Sequence, residues 1–163
     1  MNGRMIVLKS DIQAELAIIE RIFAALPTSE NDLANVKETI VTGYYLHNLY
    51  NAFENIFRLV TEAFENHIPD PSRWHSLLLE RMGRDIEGVR PRMLGDTALE
   101  SLDELRRFRH LFRHLYRNDL DPDGVRKALE QAHRLQHVYE DDIDRFFAFL
   151  DNLSPHLDHN GVA

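Results

Sequence analysis

Apolar residues in this chain recur at steps of three and four positions, which is the periodicity of amphipathic helices. Glycine and proline are few and stand between the periodic stretches, where helices commonly end. No stretch shows the strict alternation that indicates a half-buried β-strand. The pattern therefore predicts an all-α fold, an up-and-down bundle of about five helices of which two are long.

Capping residues and prolines set the expected helix boundaries. Ser10 with Gln13 and Thr97 with Glu100 have the spacing of a capping box, and Gly43 is expected to bend the long helix that contains it. The five predicted helices run from Ser10 to Pro27, from Thr28 or Ser29 to Pro69, from Asp70 to Gly83 or Gly88, from Thr97 to about Asn118, and from Asp121 to about Leu153.

Length and composition favour one helical domain over residues 1–153, followed by a polar, flexible tail over residues 154–163. The chain has 163 residues, of which 44% are hydrophobic, enough for one core. It has no cysteine, which excludes a disulfide framework, a thiolate zinc site and a cysteine nucleophile. No apolar run approaches the roughly 20 residues that span a bilayer, and no signal-peptide pattern opens the chain. A cytoplasmic protein that does not enter the membrane is expected.

Charge is distributed unevenly along the chain. The net charge of −8 argues against nucleic-acid binding, because phosphates are bound by concentrated Lys and Arg. Residues 106–117, however, read RRFRHLFRHLYR, with five arginines, two histidines and no acid. This stretch is expected to bind something anionic.

The basic stretch contains the pattern R-x4-H-x-Y, formed by Arg109, His114 and Tyr116. RNA can be cleaved without a metal when a base takes the 2′-hydroxyl proton and a cation stabilises the negative phosphorane. Histidine is the side chain that ordinarily exchanges a proton near neutral pH, so His114 suits proton transfer, and Arg109 offers a planar fork of donors to a phosphate. These two residues are the predicted catalytic pair, and the substrate-binding residues around them are predicted to be Arg106, His110, Arg113 and Arg117.

The pattern resembles the motif of the HEPN superfamily, and the added tyrosine makes it similar to the HepT toxins of HEPN/MNT toxin-antitoxin pairs. The resemblance implies an endoribonuclease toxin that is silenced when a partner MNT-type nucleotidyltransferase transfers AMP to Tyr116. Three residues of the second helix resemble polar positions that HEPN toxins turn toward the motif: Asn48, Tyr50 and Glu54.

The spacing of the motif has a geometric consequence. At about 100° per residue, Arg109 and His114 lie roughly 140° apart around a regular helix. Either the helix is distorted at the motif, or a second copy of the chain completes the site. In the HEPN toxins that the motif resembles, a second copy of the chain completes the site, so the resemblance implies a homodimer.

Other functions fit parts of the same sequence. A catalytically inactive HEPN-like module would bind a nucleotide or a protein through the same residues. Glu130 and His133 form one E-x-x-H pair, but di-iron bundles need two, so neither a metal nor another cofactor is expected. The arginines around the motif could instead be a solvated helix face, and Tyr116 could be a packing residue.

Overall fold

The computed structural model describes residues 3–65, 73–114 and 120–153, and all the described secondary structure is helical apart from one isolated bridge between Ile86 and Arg90. This confirms the predicted all-α bundle, although six helices are present where about five were expected. The helices are α1 (Gly3–Ala25), α2 (Val36–Phe64), α3 (Trp74–Met82), α4 (Asp96–Phe112), α5 (Pro122–Gln136) and α6 (Tyr139–Asn152), with a short 3-10 turn at Glu30–Asp32.

Helix α1 begins at Gly3, so the predicted start at Ser10 is wrong. Met5 and Leu8 are buried and continue the apolar stripe of Ile12 toward the N-terminus. Burial of this stripe extends the helix through Ser10, which therefore cannot act as a cap.

Helix α2 begins at Val36 rather than at Thr28 or Ser29. The Asn35 side chain accepts a hydrogen bond from the Glu38 amide at 2.9 Å, and the Glu38 carboxylate accepts one from the Ala34 amide at 3.2 Å. This arrangement satisfies free amides at the helix start in the manner of a capping box. Pro69, the predicted end of this helix, lies outside the described residues.

Helix α3 ends at Met82 with Gly83 as its C-cap, one of the two glycines predicted to close it, whereas its expected cap at Asp70 lies outside the described residues. Helix α4 is capped by Gly95 instead of Thr97, because the Gly95 amide donates to the Asp142 carboxylate at 2.9 Å. The acceptor comes from α6, so local sequence could not reveal it.

The predicted fifth helix is two helices. Asp121 caps α5 as expected and accepts from the Asp123 amide at 3.1 Å. A turn at residues 137–138 then separates α5 from α6. It allows Tyr139 to stack on Phe23 of α1, with ring centres 5.4 Å apart, and to meet Phe53 of α2 edge-on at 5.6 Å.

Helix α2 is the centre of the bundle and contacts α1, α3, α4 and α5. All six helices contribute to one hydrophobic core. Val36 and Ile40 at the start of α2 are exposed, although Ile40 was predicted to belong to the buried stripe. The side chains of α2 that are completely buried are Leu46, Leu49, Tyr50, Phe53, Ile56, Phe57 and Val60.

The connection from α3 to α4 is fixed by Arg90, whose side chain is fully buried. Its guanidinium donates to both Glu65 carboxylate oxygens and to the carbonyl of Arg81 at 3.0 Å. This network ties the connection to the end of α2. Among the described residues, no helix is both long enough and apolar enough to cross a membrane.

We expect Phe53→Ala to lower the free energy of unfolding by about 3–5 kcal/mol, because it leaves a cavity between α2 and α6. Urea unfolding followed by circular dichroism at a fixed protein concentration measures the loss. Val7→Ala is the control, since Val7 is 58% exposed and should change stability by no more than about 0.5 kcal/mol. Equal losses for both variants would contradict this assignment of the core.

Candidate functional site

The end of α4 packs closely against the first half of α2. A Cβ atom at Gly43 would lie 2.9 Å from the Phe112 ring, so a larger residue there would push the end of α4 outward. The expected bend at Gly43 is therefore not its role: α2 continues through it, and the glycine allows close approach. The Phe112 ring also lies 5.3 Å from the His47 ring. These contacts place the basic stretch beside α2.

Arg109 is held by two residues of α2. Its Nε donates to Asn51 Oδ1 at 2.5 Å, and its guanidinium carbon lies 6.0 Å from the centre of the Tyr50 ring. The Asn51 bond uses only Nε, so the terminal nitrogens of the guanidinium keep their donors. A guanidinium fixed in this way suits a phosphate or another planar anion.

The two histidines of the motif lie side by side on the exposed surface. The rings of His110 and His114 are 4.9 Å apart and inclined at 72°. Helix α4 ends at Phe112, and the His114 amide donates to the Leu111 carbonyl at 3.1 Å in a tighter turn. The predicted continuation of the helix to Asn118 is thus wrong over the described residues, because the helix ends inside the motif.

The arginines of the basic stretch have different surroundings. Arg106 pairs with Asp103 at 2.9 Å, and Arg107 pairs with both Asp103 and Glu104. Arg113 is exposed, and in the part of the chain that the structure describes neither it nor Arg109 forms an ion pair. The positive charge that is free to attract a ligand therefore lies toward the C-terminal end of α4.

The three supporting residues predicted on α2 have different positions. Tyr50 is fully buried, and the centre of its ring lies 6.0 Å from the Arg109 guanidinium carbon. Glu54 is 2% exposed and contacts His75 Nδ1 at 2.8 Å and Arg58 at 3.2 Å. Asn48 is half-buried, and the amide that contacts Arg109 belongs to Asn51.

Sequence analysis missed Asn51 and His47. Both lie on the same face of α2 as Glu54, at helical steps of four and three residues. A polar row at this spacing is the signal that could have identified them. Residues on such a row meet the helices that pack across them, which here are α4 for His47 and Asn51 and α3 for Glu54.

Burial and nearby charges alter the titration of two groups in the site. Burial lowers the pKa of His47, and the charges of Arg109 and Arg113 lower it further. Burial raises the pKa of Tyr50, with the Glu54 charge as the next cause, while Arg106 and Arg109 oppose the rise. Both side chains are therefore neutral at neutral pH, and the charges that act on them are those of Arg109, with Arg113 beside His47 and with Glu54 and Arg106 near Tyr50.

Two predicted site residues, Tyr116 and Arg117, lie outside the described residues. Within the described residues, no three histidine, aspartate or glutamate side chains are grouped closely enough to hold a metal ion.

Comparison with known proteins identifies one family. A model described as HepT-like protein matches residues 41–150, which include most of α2 and the whole motif. No curated protein and no solved structure matches. The match covers more than half of the 163 residues. The chain therefore belongs to the HepT-like family of the HEPN superfamily.

Proposed function

We propose that this HepT-like protein is the toxin of a HEPN/MNT toxin-antitoxin pair and acts as a metal-independent endoribonuclease. The observation that carries the proposal is Arg109, held by Asn51 against Tyr50 beside the histidines at the end of α4. This arrangement offers a phosphate a fixed cation and offers the reaction an imidazole.

In the proposed reaction, His114 takes the proton of a 2′-hydroxyl, and that oxygen attacks the neighbouring phosphorus. Arg109 stabilises the negative charge that develops on the phosphorane oxygens. His110, Arg106, Arg113 and Arg117 bind the RNA around the scissile bond.

The proposed active form is a homodimer in which two motifs share one cleft. Arg109 is half-buried against α2, whereas His114 is exposed beside His110. Two residues that face different directions on one protomer can meet across a two-fold axis.

Purified protein incubated with total RNA and EDTA should cleave the RNA, and Arg109→Ala or His114→Ala should each reduce cleavage by at least about 100-fold. Gel analysis of the RNA measures the effect. Arg21→Ala and His137→Ala are matched controls on exposed positions of α1 and α5 and should retain full activity.

Mixing the two inactive variants adds a test of the dimer. In a mixed dimer of Arg109→Ala and His114→Ala, one pairing of Arg109 from one subunit with His114 from the other stays intact. Activity should therefore partly return. If the mixture remains inactive while subunits exchange, each site lies within a single protomer. Cleavage that survives in both single variants would exclude the proposed catalytic pair.

RNA binding should weaken as salt rises, because the proposed contacts are between arginines and phosphates. Loss of one contact to single-stranded RNA changes the slope of log K against log salt by about 0.7. We expect Arg113→Gln to flatten the slope by that amount in fluorescence anisotropy titrations. Arg21→Gln, the control, should leave it unchanged; an unchanged slope for Arg113→Gln as well would place the RNA elsewhere.

We further propose that the partner nucleotidyltransferase silences the toxin by transferring AMP from ATP to Tyr116. Each AMP brings a phosphate that competes with RNA for the arginines of the motif. Tyr116→Phe should remain an active ribonuclease and escape this control. Intact-mass spectrometry after co-expression with the partner should show AMP on the wild type only. AMP on Tyr116→Phe would assign the modification to another residue.

A further inference from the structure

A histidine outside the motif is held by a buried carboxylate. His75, at the start of α3, places Nδ1 2.8 Å from Glu54 Oε2. The Glu54 side chain is 2% exposed, and the His75 side chain is 40% exposed. Because Nδ1 is engaged, Nε2 is the nitrogen that remains for a ligand or for proton exchange. A carboxylate behind an accessible imidazole is the arrangement that orients acid–base histidines in enzymes.

Neighbouring side chains fix this pair in place. The second oxygen of Glu54 accepts from Arg58 at 3.2 Å, and the Arg58 guanidinium lies 4.1 Å from the centre of the Trp74 ring. The Trp74 ring in turn meets the His75 ring edge-on at 4.8 Å. The imidazole is therefore supported by a hydrogen bond and by an aromatic contact, which limits its rotation before a substrate arrives.

The pair belongs to the same side of α2 as the Arg109 contact. Glu54 follows Asn51 by three residues, so the two lie on one face and about 4.5 Å apart along the helix axis. Tyr50 is a neighbour of both contacts: the Arg109 guanidinium carbon lies 6.0 Å from the centre of its ring, and the charges of Glu54 and Arg109 both act on its hydroxyl. The Glu54 contact therefore brings His75 to the side of α2 that carries the Arg109 contact, although His75 is distant from the motif in sequence.

We propose that His75 is the general acid of the reaction. This role rests on the ribonuclease function proposed above. When the 2′-oxygen forms its bond to phosphorus, the bond from phosphorus to the 5′-oxygen breaks. His75 gives the proton on Nε2 to that leaving oxygen, and His114 holds the proton taken from the 2′-hydroxyl. The products are a 2′,3′-cyclic phosphate and a 5′-hydroxyl, and no metal or other reactant is needed.

The surroundings of the two histidines support this division of roles. His75 lies against the Glu54 carboxylate, which engages Nδ1. His114 follows directly after Arg113 and belongs to the basic stretch. The two imidazoles thus have different neighbours, a carboxylate for His75 and arginines for His114.

His75→Asn separates proton transfer from structural support. The asparagine amide can still donate to Glu54 from a position close to that of Nδ1, but it cannot exchange a proton. We expect cleavage of RNA to fall by about 10²- to 10⁴-fold, with RNA affinity and thermal unfolding unchanged. His137→Asn is the matched control on the exposed end of α5 and should behave as the wild type.

An RNA whose scissile 5′-oxygen is replaced by sulphur identifies the role directly, because a thiolate leaves without being protonated. On this substrate His75→Asn should come within about fivefold of the wild type, whereas His114→Ala should stay inactive. Wild-type activity of His75→Asn on ordinary RNA, or an equal defect on both substrates, would overturn the role of His75 alone. RNA left intact by the wild-type protein in EDTA would instead refute the ribonuclease function itself.

Discussion

Helix α2 is packed against other helices of the bundle, so a polar residue buried on it needs a partner if it is not to lower the stability of the fold. A buried polar group without a partner costs about 1–3 kcal/mol, and a buried charge costs more. Asn51 meets this requirement through Arg109 of α4, and Glu54 meets it through His75 of α3. The hydrogen bonds that these α2 residues form therefore also position side chains of α3 and α4 beside α2.

This constraint prepares Arg109 for a ligand. A free arginine loses roughly 2 kcal/mol of rotamer entropy when it is immobilised, and the Asn51 contact incurs part of that loss during folding. The acids five and six residues earlier, Glu104 and Asp103, are paired with Arg107 and Arg106. An acidic protein can thus keep a local positive field at the end of α4 without a basic surface elsewhere.

Local sequence signals predicted the fold where the determining contacts are local. The cap at Asp121 and the end of α3 at Gly83 are such cases. The turn at residues 137–138 was missed because the apolar periodicity continues in phase from α5 into α6. The site divides in the same way: the motif is contiguous and could be recognised, whereas Asn51 and His75 join it only through packing between helices.

The end of α4 inside the motif does not by itself unite the proposed catalytic pair. His114 lies beside His110 on the exposed side of the helix end, while Arg109 points toward Asn51 and Tyr50. His75 contacts Glu54, on the face of α2 that also carries Asn51. In the proposed site, a phosphate bound to Arg109 would have its leaving oxygen protonated by His75 of the same chain but would need the imidazole of a second copy as its base. The geometry of one protomer thus favours a cleft in which one subunit supplies Arg109 and His75 and the other supplies His114. The proposed dimer would then be needed for the proton transfer as well as for the shape of the cleft.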